Sequence, residues 1–384
     1  MKFLYIYIGN IHSDFSGAAK KVRGIVSELE KRKVEYFIFA LSDQVKISGV
    51  YDERVYLVPA IETDQVAIYS ELGKFLTFCG SYDACVFRYP FASKELVELL
   101  KRYPDQITLE HNNKELIELW RVGLDSIKEY KFRPSPSYMR LLRNSLLPVF
   151  NELRYGVSAL KLAKSGIAVT NEIAGYEKNR FSRYRCRIVG NGIDFSKIKF
   201  HSRIFSRGDV LTIVMLNTSN VSWHGVDLIL ESFRKANTDK FHLILIGRFS
   251  EKDISLAQSY PHITYRGFLA PDEINEVMGS VHIGLGAVAL FRKKLHEAST
   301  LKVREYLASG LPLILGHVDS DVDNNSFIAS CRFKIDMLSN SISWEKIYDW
   351  AVEVYRTPNI NQKIRDTASE IVGFERKVSD LLNG

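Results

Sequence analysis

Two glutamates, Glu297 and Glu305, are separated by seven residues in the segment EASTLKVREYLASGLP, which runs from Glu297 to Pro312. Ala298-Ser299-Thr300 is a small-residue loop, and Lys302–Ser309 then reads as a helix stopped by Gly310 and Pro312. The amino end of a helix presents unpaired N–H groups and the positive end of a dipole, which suits a phosphate. Glu297 falls before that helix and Glu305 one turn inside it. Both carboxylates can therefore face one ligand, one toward sugar hydroxyls and one toward ribose hydroxyls. A second candidate is His111, which follows Glu110 at the end of an apolar run. Two rival motifs carry less. Gly284–Ala289 fits GxGxxA, but it lies in a late strand rather than a first βα unit. Asp319-Ser320-Asp321-Val322-Asp323 could attract a divalent ion. Asn324 stands where a calcium loop needs glycine and Ser330 where it needs glutamate, so a solvated turn is expected.

The elements that would position these residues alternate along the chain. Strand candidates are Phe3–Ile8, Tyr36–Leu41, Ala84–Arg88, Ile107–Glu110, Ile167–Thr170 and Arg187–Val189, then Leu211–Leu216, His242–Ile246, Ile263–Tyr265, His282–Leu285 and Leu313–Leu315. The stretches between them carry helical spacing, as in Val226–Ala236, with Leu228, Ile229 and Phe233 on one face. Such alternation means βαβ units and parallel sheets, and near-continuous apolar strands agree with that. The expected fold class is α/β, with two Rossmann-like doubly wound parallel-sheet domains facing across a cleft. The polar, basic stretch His201–Gly208 reads as the linker between them. The expected division is 1–205, 206–363 and a closing helix over 364–384.

The chain has 384 residues, 46% of them hydrophobic and 25% charged, which is globular and excludes collagen, coiled coil and disorder as the main architecture. Its four cysteines form no CxxC pair, so a structural zinc site is not expected and a reducing compartment fits. Met1–Gly9 reads as a buried first strand rather than a signal peptide, and no apolar run reaches the length of a membrane span. The formal net charge is +7, and between Lys178 and Arg207 nine basic residues accompany a single acid, Asp194. That patch can attract a phosphorylated ligand or anionic lipid. Nucleic acid is not expected, because no helix-turn-helix, zinc-finger or aromatic RNA-binding signature accompanies the charge. Glu115–Tyr155 interleaves Trp120 and many leucines with Lys128, Lys131, Arg133, Arg140 and Arg143, a pattern that can lie on a membrane surface or pack as an ordinary helical insertion.

Several of these segments together resemble the nucleotide-sugar glycosyltransferases of GT-B fold, specifically glycosyltransferase family 4. Glu297-x7-Glu305 with Lys302 and EYLASGLP resembles the family's acidic motif. Ser222–Asp227 resembles the loop opening the first helix of the nucleotide-binding domain. Asn191-Gly192-Ile193-Asp194 resembles the NGxD turn before the interdomain linker. Ser16-Gly17-Ala18-Ala19 resembles the glycine-containing loop after the first strand, and Glu110-His111-Asn112 the EH motif of the first domain.

The resemblance implies a retaining hexosyltransferase that uses an NDP-sugar with no metal or other cofactor. By the same resemblance, Glu297 and His111 are the catalytic pair at the donor sugar. The N–H groups of Ser299, Thr300 and Leu301 hold the diphosphate, and Glu305 the ribose. The loops Gly247–Phe249 and Arg266–Phe268, with Gly247, Arg248, Gly267 and Phe268, flank the nucleobase, and Ser16 and Gly17 face the donor phosphates. One departure stands out: many members carry an Arg and a Lys in the loop after the first strand of the second domain. Asn217–His224 has neither. Lys302 is the expected substitute, with Arg248 or Arg292 in support. The expected acceptor is a glycan, carried on a polyprenyl diphosphate. The expected place is the cytoplasm, peripheral at the inner face of the cytoplasmic membrane, in bacterial envelope polysaccharide (capsule or O-antigen) synthesis. The alternatives are a non-catalytic GT-B subunit of a partner transferase and a nucleotide-sugar epimerase.

Overall fold

The computed structural model describes residues 1–13, 16–62, 64–129, 136–236, 238–336 and 342–383; the side chains of 125–129, 136–144 and 238 lie outside that description. The chain divides into two compact units. One is Met1–Gly190 with Val378–Gly384, the other Asn191–Lys377.

The first unit holds an eight-stranded sheet of β1 (Lys2–Asn10), β2 (Glu35–Ser42), β3 (Gly49–Tyr51), β4 (Val55–Pro59), β5 (Ala84–Arg88), β6 (Ile107–His111), β7 (Ser165–Ala168) and β8 (Cys186–Ile188). Their order is β3-β4-β2-β1-β5-β6-β7-β8, and every pairing is parallel except β3 with β4. Its helices are α1 (Gly17–Lys31), α2 (Gln65–Cys79), α3 (Lys94–Arg102), α4 (Glu115–Glu129), α5 (Pro136–Leu162) and α6 (Asn171–Arg180). Phe3, Leu4, Tyr5 and Ile6 are completely buried in succession. A strand covered on both faces has no solvent side, which explains the unbroken apolar run.

The second unit holds a six-stranded, all-parallel sheet of β9 (Leu211–Asn217), β10 (Phe241–Gly247), β11 (Ile263–Tyr265), β12 (Ile283–Leu285), β13 (Leu313–Leu315) and β14 (Arg332–Lys334), in the order β11-β10-β9-β12-β13-β14. Its helices are α7 (Val226–Lys235), α8 (Glu251–Gln258), α9 (Pro271–Ser280), α10 (Leu301–Ala308), α11 (Ser320–Asp323), α12 (Ser326–Ser330), α13 (Trp344–Tyr355) and α14 (Ile360–Val372), followed by α15 (Phe374–Leu382). Strands β3, β4 and β14 were not expected. Each is short and lies at or next to a sheet edge, where pairing partners rather than apolar length define the strand.

Residues 201–208 do not behave as a free linker. Arg203 is buried and donates to the carbonyls of Met278, His201 and Ser309, while its backbone N–H donates to Asn361 Oδ1 at 2.9 Å. Phe205 stacks edge-on against Tyr348 and Tyr355. The segment looks polar because its arginine satisfies carbonyls inside the second unit. At the other end, Ile364, Ala368 and Val372 of α14 sit in the second unit's core, and only the last seven residues belong to the first.

The GxGxxA segment has a packing explanation. A Cβ at Gly284 would meet the Tyr306 ring at 2.3 Å. The bare strand lets α10 lie directly on β12, where Tyr306 Oη donates to the Leu285 carbonyl and accepts from the Leu216 N–H.

Candidate functional site

The amino end of α10 is built from three directions. The strap before it pairs with the segment after β13: Ala298 N–H donates to the Val318 carbonyl at 2.9 Å, and Val318 N–H to the His296 carbonyl at 2.8 Å. That pairing places the buried Glu297 just ahead of the helix. Ser299 is fixed by Asn191, whose N–H donates to Ser299 Oγ at 2.8 Å and whose side-chain amide donates to the Ser299 carbonyl. Thr300 is the N-cap, yet its hydroxyl makes no capping bond, and its Oγ1 is a buried atom without a partner. The first turn of the helix is thus left uncapped by its own chain.

From the second direction comes Asn217, the last residue of β9, 2% exposed. Lys302 Nζ donates to its Oδ1 at 3.0 Å, whereas its Nδ2 is buried without a partner. Burial pushes the Lys302 ammonium down to about 7, with Glu305 acting in the opposite sense. The loop after β9 then brings His224 close by. Burial, followed by the charges of Lys302 and Lys293, pushes its imidazole down to about 2, so the ring is neutral, and its Nδ1 has no partner. Lys293 lies 4.7 Å from the centre of the Trp223 ring.

The third direction is supplied by β10 and β11. Arg248 N–H donates to the Asn217 carbonyl at 2.8 Å, and Gly247 N–H to the Gly267 carbonyl at 2.7 Å. Gly247 has φ +111°, and a Cβ there would collide with the Asn217 carbonyl oxygen; only glycine admits this approach. The Arg248 guanidinium lies 5.8 Å from the ring of the half-exposed Phe268. Gly247, Arg248, Gly267, Phe268, Ser299, Thr300, Leu301, Lys302 and Glu305 are therefore gathered around β9 and α10. Asn217 ties the two loops to the helix. Neither Asn217 nor His224 was expected as a site residue.

Behind the site, Arg304 is completely buried. It bonds Asp319 and Asp321, and its Nε donates to the Asn191 carbonyl at 3.1 Å. Lys377 Nζ reaches Asp321 at 2.6 Å. The acidic triplet is therefore no solvated turn. Asp319 is buried and Asp321 partly buried, and both are counter-charges to the arginine of α10, while Asp323 pairs with Arg332. Arg292 is likewise committed. It makes a two-pronged ion pair with Asp227 and donates to the Ser222 carbonyl, so it serves the loop rather than a ligand.

Ser16 and Gly17 lie in the first unit, where Ser16 caps α1 by accepting the Ala19 N–H at 3.2 Å. Tyr7 Oη is 3.3 Å from Ser16 Oγ. His111, expected against the donor sugar, is enclosed instead. It has no exposed surface; Nδ1 is 3.0 Å from Glu115, and Nε2 is 3.0 Å from Tyr184 Oη. With both nitrogens engaged, the ring offers no atom to a sugar. Around it Arg180 bonds Glu152 at 2.6 Å and Glu177 at 3.0 Å. Burial, followed by the neighbouring Glu115 charge, lifts Glu177 to about 9; burial lifts Glu115 to about 7. His111, Glu115 and Glu177 each aim one atom at a common point, within 4.8 Å of one another, close enough for one cation. The Arg180 guanidinium already bonds Glu177, at 3.0 Å. Next to it Glu110 follows another logic: burial raises its pKa, but Lys21 and Arg88 outweigh that and hold it at about 2.

The amphipathic stretch forms α4 and α5. Trp120, Leu147, Phe150 and Leu153 are about half exposed or more, whereas the side chains of Lys128, Lys131, Arg133, Arg140 and Arg143 lie outside the described residues. Among the described residues no helix is long and apolar enough to cross a membrane.

No protein-family model matches the chain, and no curated protein matches it. Solved structures do. Sucrose-phosphate synthase from Thermosynechococcus elongatus superposes with a TM-score of 0.65 at 11% identity, covering 100% of this chain and 97% of the other. HepE of Anabaena, in complex with UDP and glucose, gives 0.56 at 12% identity, with 100% and 99% covered. The lipopolysaccharide outer core galactosyltransferase WaaB gives 0.58 at 10% identity, with 100% and 99% covered. Likeness at this identity speaks for architecture: the chain has the GT-B fold, with a parallel-sheet domain in each unit.

Proposed function

We propose that this protein is a retaining glycosyltransferase that moves a sugar from an NDP-sugar to a glycan acceptor without a metal ion. One observation carries the reading. Asn217 Nδ2, His224 Nδ1 and Thr300 Oγ1 are buried, unpartnered polar atoms, and they cluster with the Lys302 ammonium at the uncapped amino end of α10. Buried polar groups left without partners are costly. A diphosphate would supply acceptors to the Asn217 amide and the Thr300 hydroxyl and lie on the helix end.

In this reading the N–H groups of Ser299, Thr300 and Leu301 hold the diphosphate, and Lys302 replaces the family's missing cations. Glu297 binds the donor sugar's hydroxyls and Glu305 the ribose. Arg248 and Phe268, with Gly247 and Gly267, border the base. Ser16 and Gly17, in the first unit, are assigned to the donor phosphates by the family resemblance alone. The leaving diphosphate takes the acceptor proton as the acceptor attacks on the same face, so charge stabilisation at α10 supplies most of the rate. HepE was solved with UDP and glucose, which supports a nucleotide-sugar donor here by analogy of fold. The exposed Trp120, Leu147, Phe150 and Leu153 support a lipid-linked acceptor, met at the inner face of the cytoplasmic membrane during envelope polysaccharide synthesis.

A second reading, a non-catalytic subunit of a partner transferase, draws on Asn217–His224, which has no Arg or Lys. A thermal-shift panel of UDP-, GDP-, ADP-, dTDP- and CMP-sugars, each with Mg²⁺ or EDTA, separates the two. At about 100 times its dissociation constant a donor adds roughly 2.7 kcal/mol of stability. Stabilisation by one nucleotide class regardless of EDTA, followed by donor turnover, supports the enzyme. Silence across the panel overturns it in favour of the subunit.

A further inference from the structure

The first unit carries a second concavity that the proposed transfer does not use. A groove of about 810 Å³ runs along β8 and α6, lined by Lys164, Lys178, Arg183, Arg185 and Arg187. Among the described residues no aspartate or glutamate lines it. Its volume falls in the range of small-molecule sites.

The local sequence explains the charge. Arg183 and Arg185 lie in the turn and connecting segment that lead into β8, and Arg187 lies on β8 itself. Tyr184 and Cys186 alternate with them, and Tyr184 is buried against His111. Arg187 is spent within the unit, donating to the carbonyls of Asp380 and Leu381. Among the described residues, Lys164, Lys178, Arg183 and Arg185 have no carboxylate at ion-pair distance, and all four are exposed. Among the described residues, the outer side of β8 has no neighbouring strand. Ser182 adds a hydroxyl, and Gly175 leaves open space where a side chain would stand.

Like charges held close around a concavity repel one another and focus a positive potential into it. We propose that this groove is a second anion site, which binds a ligand carrying more than one phosphate group. Arg183 and Arg185 would supply two-pronged contacts, and Lys178 and Lys164 point charges. The site lies wholly within the first unit and does not depend on the donor reading.

Isothermal titration of the full chain with inorganic tripolyphosphate tests it. The Lys302→Gln background is used so that α10 does not compete. A Lys178→Gln/Arg183→Gln/Arg185→Gln triple variant should bind at least about tenfold more weakly. A charge-matched Lys252→Gln/Lys334→Gln/Lys346→Gln control in the second unit should bind as before. Sedimentation with vesicles of equimolar phosphatidylglycerol and phosphatidylcholine then identifies the source. Loss of vesicle binding alongside tripolyphosphate binding points to a lipid headgroup. Loss confined to tripolyphosphate points to a free phosphorylated ligand. Equal weakening in both triple variants, or no binding of either probe by the parent, overturns the proposal. All six positions are exposed, and matching melting curves establish that the variants are folded.

Discussion

The ammonium of Lys302 lies 3.0 Å from the side-chain oxygen of Asn217, the final residue of β9. The same asparagine's carbonyl accepts the Arg248 N–H. A helix end, a central strand and the loop after β10 thus meet at one buried amide. Lys302→Gln should weaken donor binding roughly ten- to hundredfold, the value of one charged hydrogen bond. Asn217→Ala should weaken it less while lowering the melting temperature. Titration calorimetry with the stabilising nucleotide sugar reads the first effect and a melt the second.

Lys302 also predicts a pH dependence. Burial holds it at about 7, below its ordinary 10.5. Bound diphosphate would favour the charged form, so binding above that value takes up a proton. Affinity should then fall by up to about tenfold per pH unit. Calorimetry in buffers of different ionisation enthalpy should register the uptake; a pH-independent affinity with no uptake would remove Lys302 from the site. In the free protein the unfolded chain binds more protons between about 7 and 10.5, so this lysine makes stability rise across that window.

Glu297 sits in a strap whose shape comes from backbone pairing with Val318. Glu297→Gln should therefore keep the fold and abolish turnover. An unchanged melt with full turnover in that variant would place the sugar elsewhere.

The enclosed His111 cluster has the opposite profile. Truncating His111 to alanine removes a buried partner of Glu115 and of Tyr184, whose hydroxyl keeps the Ser165 carbonyl, and should cost about 2–5 kcal/mol. Glu115 and Glu177 titrate at about 7 and 9 in the fold, above their ordinary 4.5. Their contribution is complete below that ordinary value and is lost as pH rises through 7 and 9. Glu177→Gln keeps the shape without the charge. Its melting temperature should fall less than the parent's between neutral and alkaline pH. Parallel curves for the two proteins would contradict the assignment.

Arg304 tests the support beneath α10. Arg304→Ala strands Asp319 in the interior, leaves Asp321 to Lys377 alone and should destabilise by about 3–5 kcal/mol. Added Mg²⁺ should not restore the melt of the variant. Full rescue by the ion would mean that the triplet is a metal site after all.

Much of the architecture was legible in the sequence. The apolar runs at Phe3–Ile8 and Leu211–Leu216 are strands because a parallel sheet buries both faces. The stop at Gly310 and Pro312 follows from backbone chemistry alone. Strand β4 was readable in principle, since Val55–Val58 is an apolar run, but three charged residues before it and Pro59 after it shorten the signal. The resemblance assigned Gly247, Arg248, Gly267 and Phe268 to the nucleobase; hydrogen bonds through Asn217, which the sequence did not point to, set these loops beside α10.

Local chemistry thus settled which segments are strands and helices, where α10 begins and which side chains stand at its amino end. Those properties depend on neighbours a few residues away. The tertiary structure decided what spacing does not encode. It turned Asp319 and Asp321 into partners of Arg304 rather than ligands of a solvated ion. It closed the protein around His111, fastened residues 201–208 to the second unit and made Asn217 the junction of the donor-side loops. Burial and charge pairing are set by residues far apart in the chain, and the same histidine or aspartate takes a different role according to what folds against it.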